Sequence, residues 1–415
     1  MRAHPLEAVR AQVEDFRSVF AIRSFATYQV GNLVMTTGFW MQRVGVGWVT
    51  WEMTQSEAWL GLVAFAELFP SILTALWGGA LADRHPAPEI MYWGQIASAG
   101  VSVLLAILYV TNALTPWGMA GAMAVLGAVS GALLPARLSM ARHLAPPRLL
   151  PSALAVNSTG FNLSRFIGPA VAGGLLVVST AGLVFAVAAL GFIALAIALY
   201  GIRNVPAQMD RAVPGQPVRM MSVLRDLMQT PAVLGVLALQ LAQGLLIRPA
   251  SELFPAYSEV VFDMGAPGLG LLNAALGIGA VLGALLLSKS RVARDALWQI
   301  LLMSAVFAVS LLVFAVTGAF WLALVVLLVH GATMSASNIA ALAYVQLEAP
   351  QDRLGRILSL YTIIFRVGPA IGAFLFGLTA ESAGLTATGV AFALAGLLAT
   401  GALACLILKP NERFQ

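Results

Sequence analysis

LLVVSTAGLVFAVAALGFIALAIAL, residues Leu175–Leu199, carries no charge, and its only hydroxyl side chains are Ser179 and Thr180. A helix that crosses the hydrocarbon core of a bilayer needs about 20 apolar residues at 1.5 Å rise each. The run therefore reads as the end of one span and the start of the next, divided at the Ser-Thr pair. Strands of a membrane barrel alternate apolar and polar residues in segments of about ten. This run is apolar on every face, and so is Leu297–Leu328. In lipid, a continuous apolar segment must satisfy its own backbone polar groups, which it does as a helix.

Composition extends the reading to the whole chain. Of 415 residues, 60% are hydrophobic and 10% charged, with a mean hydropathy of +0.89, too little polar side chain to cover a water-soluble globule. At roughly 35 residues per span with its turn, the length holds about twelve spans. Apolar runs lie near 24–51, 58–82, 89–111, 116–136, 150–178, 181–202, 230–257, 266–288, 296–317, 319–345, 357–379 and 385–408. The expected fold is an all-α membrane protein with twelve transmembrane helices in two pseudo-symmetric six-helix bundles, 24–202 and 230–408. Residues 1–23 form an N-terminal segment, 203–229 a central linker and 409–415 a tail. Leu6, Val9, Val13, Phe16 and Phe20 recur at helical spacing in the first segment, as in an amphipathic helix lying on the membrane surface. That segment has no continuous apolar core of the kind a cleaved leader carries, so the first span is expected to serve as its own insertion signal.

The formal charge of +5 and the pI near 9.7 do not point to nucleic acid, because the basic residues are not gathered in one patch. Apart from Arg43, Arg165, Arg248 and Arg366, which fall inside spans, every Lys and Arg lies in the termini or in the segments after spans two, four, six, eight and ten. Basic residues stay on the cytoplasmic side. Both termini are thus expected inside, as in a multi-pass protein of a bacterial-type inner membrane. Cys405 is the single cysteine, so no intrachain disulfide can form.

An internal echo divides the chain. Arg165-Phe-Ile-Gly168-Pro169-Ala170 in span five recurs as Arg366-Val-Gly368-Pro369-Ala370 in span eleven. Each follows a basic segment containing proline, Pro146-Pro147 or Pro350. Repeated halves around a mid-membrane site are the build of many secondary transporters. Glycine lets helices approach closely and proline removes a backbone donor and bends its helix.

These residues resemble a family. Gly79-Ala-Leu-Ala-Asp83-Arg84 is similar to the first half of the loop signature of the major facilitator superfamily, although its second half, His85-Pro-Ala-Pro-Glu89, lacks the usual basic cluster. Pro135-Ala-Arg137 through Asn157, Asn162, Arg165, Gly168-Pro169 and Gly173 resembles the branch that contains enterobactin exporters and macrolide efflux pumps. So do Trp40-Met-Gln42-Arg43 with Trp48, and Val345-Gln346 through Pro350, Gly355-Arg356 and Ser359-Leu-Tyr361. The resemblance covers essentially the whole chain. It implies alternating access, with spans one, four, seven and ten lining a cavity and Asp83 and Arg84 acting as gating residues. It also implies a role for the Gly-Pro segments, Gly168, Pro169, Gly368 and Pro369, as a hinge or seal of the kind found in proton-exchanging exporters; a merely bent packing helix is the alternative.

Ionisable groups inside spans cost about 2.5–3.5 kcal/mol to insert, so each is a functional candidate. Glu67, in Ala64-Phe-Ala-Glu67-Leu-Phe-Pro70, has apolar and aromatic neighbours. Desolvation there suits a carboxyl group that takes up and releases a proton; a permanent pair with Arg43 is the other reading. Arg248 and Glu252 stand four apart near Pro249 and Pro255, so they can neutralise each other on one helix face. Because span seven lines the cavity by resemblance, Glu252 is the second proton candidate. Arg165 and Arg366 can bind an anionic substrate group or hydrogen-bond to broken-helix carbonyls. His330 opens a polar stripe with Thr333, Ser337, Asn338 and Tyr344. It reads as a satisfied core histidine or as a proton-responsive or substrate-contacting residue, not a metal ligand, since no second His or Cys stands at ligand spacing. Phe39, Trp40, Phe65, Phe69, Phe161 and Tyr361 are candidates for an aromatic cavity, with Gln42, Arg43, Arg248 and Asn338 among its polar members.

The sequence lacks a Walker-type loop and any nucleophile and base cluster in the spans. An ion gradient is then the expected energy source, without enzyme activity or cofactor. The expected function is proton-coupled export of an amphiphilic small molecule, a drug or siderophore-like metabolite. A lipid or nutrient facilitator, or a non-transporting sensor, is the alternative. Expected partners are the small-molecule substrate, protons or another coupling ion, and membrane lipid; a monomer is expected.

Overall fold

The computed structural model describes residues 17–206, 230–288, 296–350 and 354–407. The amphipathic helix expected before Phe20, most of the central linker and the 409–415 tail lie outside the described residues, apart from Arg17–Ile22 and Arg203–Pro206. Among the described residues are twelve long helices: α1 (Arg23–Thr54), α2 (Glu57–Arg84), α3 (Ala87–Val110), α4 (Pro116–Leu144), α5 (Leu150–Val178), α6 (Ala181–Ile202), α7 (Pro231–Leu246), α8 (Gly265–Ser288), α9 (Ala296–Val316), α10 (Phe320–Glu348), α11 (Leu354–Ala383) and α12 (Leu385–Ile407). Ser179 and Thr180 do separate two helices.

Several boundaries differ from the apolar runs. Helix α4 continues to Leu144, so Arg137 and Arg142 are helical, not loop residues. Basic side chains in the last turn suit the negative end of the helix dipole, and the helix stops only where Ala145 precedes Pro146, a position that disfavours α backbone. Helices α10 and α11 likewise run past their apolar stretches, to Glu348 and Ala383. Turns are tight: Gln55, Asn112 and Asp263 have positive φ between successive helices, as does Gly384 at φ 84°.

Among the described residues, eleven spans are long and apolar enough to cross a membrane. Helix α1 is the exception because it carries Gln29, Asn32, Thr36 and Gln42, all buried. Neighbouring helices meet some of its polar groups. Gln29 donates to the Val156 carbonyl at 3.5 Å, Asn32 to Asn157 Oδ1 at 3.0 Å and Thr37 to Ser164 Oγ at 3.1 Å, all on α5. Ser102 of α3 donates to Gln42 Oε1 at 2.7 Å. Interhelical hydrogen bonds of this kind let a polar helix live inside a bundle.

The described residues divide into two compact units. One takes in those within Met1–Gly45, Pro70–Gly118 and Ala124–Pro214; the other those within Val46–Phe69, Met119–Met123 and Gly215–Gln415. The core of the first gathers Phe25, Tyr28, Met35, Met91, Met140, Phe192 and Leu195. That of the second gathers Val236, Leu239, Ile300, Ala341, Val345 and Ile357.

Candidate functional site

In the first unit the sequence-predicted residues converge on Trp40. The Arg43 guanidinium lies 5.7 Å from the indole centroid and that of Arg165 5.5 Å. Phe39 and Phe161 meet the same ring edge to face, at 5.7 and 6.0 Å. Cations within about 6 Å of an aromatic ring centroid form cation–π contacts, and the indole N–H, a donor, finds no acceptor among the described residues. Gln42 does not join this group. It is 2% exposed and held by Ser102.

Gly168 explains how α5 reaches α1. A Cβ there would stand 2.6 Å from Trp40 Cβ and 2.8 Å from the Thr37 carbonyl oxygen, so only glycine admits this approach. Arg165, one turn earlier, is thereby placed beside Trp40. The second unit repeats the device. A Cβ on Gly368 of α11 would meet Gly244 of α7 at 3.1 Å, and one on Gly244 would meet Pro369 at 3.0 Å. The echoed Gly-Pro pairs thus seat equivalent helix pairs, α5 on α1 and α11 on α7.

Just beyond that contact α7 changes character. A 3-10 segment, Arg248–Leu253, gives way to a single α turn, Phe254–Ala256, and then to π-helical Tyr257–Val261. Pro249 and Pro255 supply the cause, since neither can donate into an α ladder. Arg248 and Glu252 therefore sit on 3-10 backbone, where residues three apart eclipse, and a shared α-helical face no longer follows from their spacing. Arg248 donates to Asn338 Oδ1 of α10 and, at 3.5 Å, to Gln240 Oε1. Its guanidinium lies 4.3 Å from the Phe365 ring centroid. Tyr361 stacks with Phe365 at 6.3 Å and donates to the Asn338 carbonyl at 3.2 Å. Arg248, Asn338 and Tyr361 are thus one constellation.

Other candidates lie elsewhere. Glu67, 8% exposed, sits in α2 on the helix face opposite Phe65 and Phe69, which stack at 4.9 Å. Glu252 and Arg366 are half-buried, and Asp83 and Arg84 are exposed on the last turn of α2. His330 is buried, with Nδ1 2.7 Å from Ser310 Oγ and its ring 4.3 Å from that of Phe307. It therefore sits with α9 and apart from the Arg248 group.

Sequence reading missed a buried network behind Arg248. Gln243 donates to Ser304 Oγ at 2.6 Å and to Ser337 Oγ at 3.1 Å, and Gln240 to the Ser337 carbonyl at 3.3 Å. A signal existed: Gln42 and Ser102 bridge α1 to α3 as Gln243 and Ser304 bridge α7 to α9, at nearly the offset of the Gly-Pro echo. Also missed was the seam between the first half of α2 and α11. Gly61 and Gly377 have no room for a Cβ, meeting the carbonyls of Ala373 and Glu57 at 2.4 and 2.5 Å. Glu381 accepts from Ser56 Oγ at 2.8 Å and from the Ala58 amide at 3.2 Å, capping α2.

A family model described as transmembrane secretion effector, within the major facilitator superfamily, matches residues 17–413. The chain belongs to the major facilitator superfamily. It is 29% identical over 413 residues to the enterobactin exporter EntS of Escherichia coli O1:K1 / APEC, covering 96% of this chain and 93% of that protein. The EntS protein of Shigella flexneri is 28% identical over 414 residues, with the same coverage. Among solved structures, a POT family transporter in complex with a thioalcohol-conjugated peptide superposes with a TM-score of 0.73 at 10% identity, over 92% of this chain and 95% of that one. This facilitator is a multi-pass membrane transporter and not an enzyme.

Proposed function

We propose that this facilitator exports an amphiphilic small molecule with an anionic, aromatic face, siderophore-like or drug-like, in exchange for protons. The observation that carries the reading is Trp40 with Arg43 and Arg165 about one ring. Guanidinium groups and an indole N–H offer donors and positive charge beside an apolar surface, which suits a ligand combining acidic oxygens with rings. Arg248 with Phe365 and Tyr361 offers the same chemistry in the second unit. Similarity to enterobactin exporters over 96% of the chain supports the outward direction.

Glu67, a buried carboxyl group on α2, is assigned the coupling proton, with Glu252 as the second candidate. The halves 24–202 and 230–408 alternate access about the site, with Asp83 and Arg84 gating on the cytoplasmic side of a bacterial inner membrane. The test is competitive uptake into inside-out vesicles. A catecholate siderophore is expected to accumulate and to lose most of its uptake in Arg165→Gln. Uptake of a lipophilic cation in its place, unaffected by Arg165→Gln, would contradict the proposed cargo chemistry.

A further inference from the structure

Because α4 runs on to Leu144, it carries Arg137 into the first unit, about 10 Å along the axis from that end. Arg43 and Arg165 of the same unit share the Trp40 ring. Arg137 is met differently. Ala136 before it and Met140 one turn after it belong to the apolar core that also holds Tyr28 and Met91. Its Nε is buried and donates to nothing among the described residues. Among those residues its charge acts on the Tyr28 phenol of α1 and on no carboxylate. Tyr28 is 1% exposed, and its hydroxyl also has no hydrogen-bond partner among the described residues. Two helices thus each bring a buried, unmet donor to one place.

An unmet buried donor is costly, and a buried cation without a counter-charge is costlier. Ordered water satisfies a donor but leaves the charge unbalanced. An anion does both. Arginine presents its donors in a planar fork that matches two oxygens of a carboxylate or phosphate, and the phenol adds an O–H from a second helix. Arg137 as a whole is half-buried, so part of its side chain stays within reach of an ion. Tyr28 and Trp40 stand about 18 Å apart along α1, which separates this place from the Trp40 group.

We propose that Arg137 and Tyr28 bind a small oxyanion, a carboxylate or phosphate group that belongs either to the acidic end of a cargo molecule or to a free ion. Binding here does not depend on the transport reading. It is tested by melting curves of the detergent-solubilised full-length protein in oxyanion-free buffer, titrated with benzoate, with neutral benzamide or with inorganic phosphate. A ligand bound only by the folded state raises the melting temperature, so benzoate is expected to raise it saturably and benzamide to leave it unchanged. A rise with benzoate alone assigns the site to an acidic organic group; a rise with phosphate as well assigns it to a free ion. Arg137→Gln should lose most of the rise. Tyr28→Phe keeps the packed ring and should weaken the apparent affinity about tenfold, the scale of one hydrogen bond to a charged group. Arg165→Gln, which strips the Trp40 group of a cation, should keep the rise, so failure of this site and failure of the cargo reading are told apart. No rise with benzoate or phosphate in wild type, an equal rise with benzamide, an undiminished rise in Arg137→Gln, unchanged affinity in Tyr28→Phe, or loss of the rise in Arg165→Gln would each overturn the proposal.

Discussion

Trp40 shows what one residue contributes beyond packing. Its ring is shared by Arg43 and Arg165, and its N–H has no acceptor among the described residues. Trp40→Phe keeps a face for both guanidiniums and removes the donor. A hydrogen bond from it to a charged group of the cargo is worth about 1.5–3 kcal/mol, so the apparent KM for an anionic substrate should rise roughly tenfold with assembly unchanged. Initial rates in inside-out vesicles measure it, and an unaltered KM would remove Trp40 from the site. Gln243 is the opposite kind of residue: fully enclosed, it ties α7 to Ser304 and Ser337. Gln243→Ala removes the amide that bridges the two hydroxyls, which keep each other at 3.4 Å, and should cost about 1 kcal/mol, read as a lower melting temperature in detergent.

At the scale of helices, the Gly-Pro pairs make a geometric claim. Gly168→Val must push α5 off α1, since even a Cβ would sit 2.6 Å from Trp40, and forced overpacking costs about 1–3 kcal/mol. Transport and melting temperature should both fall. Gly174→Val, on the same helix with open space around it, should change neither by more than about 0.5 kcal/mol. Parallel melting curves and uptake assays of the two variants decide the matter. The cap on α2 is a second element-level test. Glu381→Ala removes the acceptor for Ser56 and the Ala58 amide, and loss of a helix cap costs about 0.5–2 kcal/mol. Faster hydrogen exchange confined to residues 57–60 would register it.

For the whole molecule, what sequence could reveal depended on whether the signal was local. Leu175–Leu199 announced two helices and their turn because hydropathy is a property of consecutive residues. Arg165 and Arg366 were found through the Gly-Pro echo beside them, again a short motif. The Gln243, Ser304 and Ser337 network was not found, because it depends on how α7, α9 and α10 are rotated about their axes, and an all-round apolar helix such as α9 carries no periodicity that fixes its rotation. Phe365 against Arg248 escaped for the same reason, since many aromatic residues were available and spacing alone does not choose one. The break in α7 was half visible. Pro249 and Pro255 marked the place, while the passage through 3-10 to π geometry depends on neighbours that satisfy the displaced backbone.

The proposed exchange of cargo for protons through Glu67 is tested most directly by dissipation of a pH gradient in inside-out vesicles. Adding a catecholate siderophore should trigger proton release from wild type and none from Glu67→Gln, with the variant present in the membrane at the same level. Proton release undiminished in Glu67→Gln would contradict the assignment of the coupling proton, and no release from wild type during measurable siderophore uptake would contradict proton exchange itself.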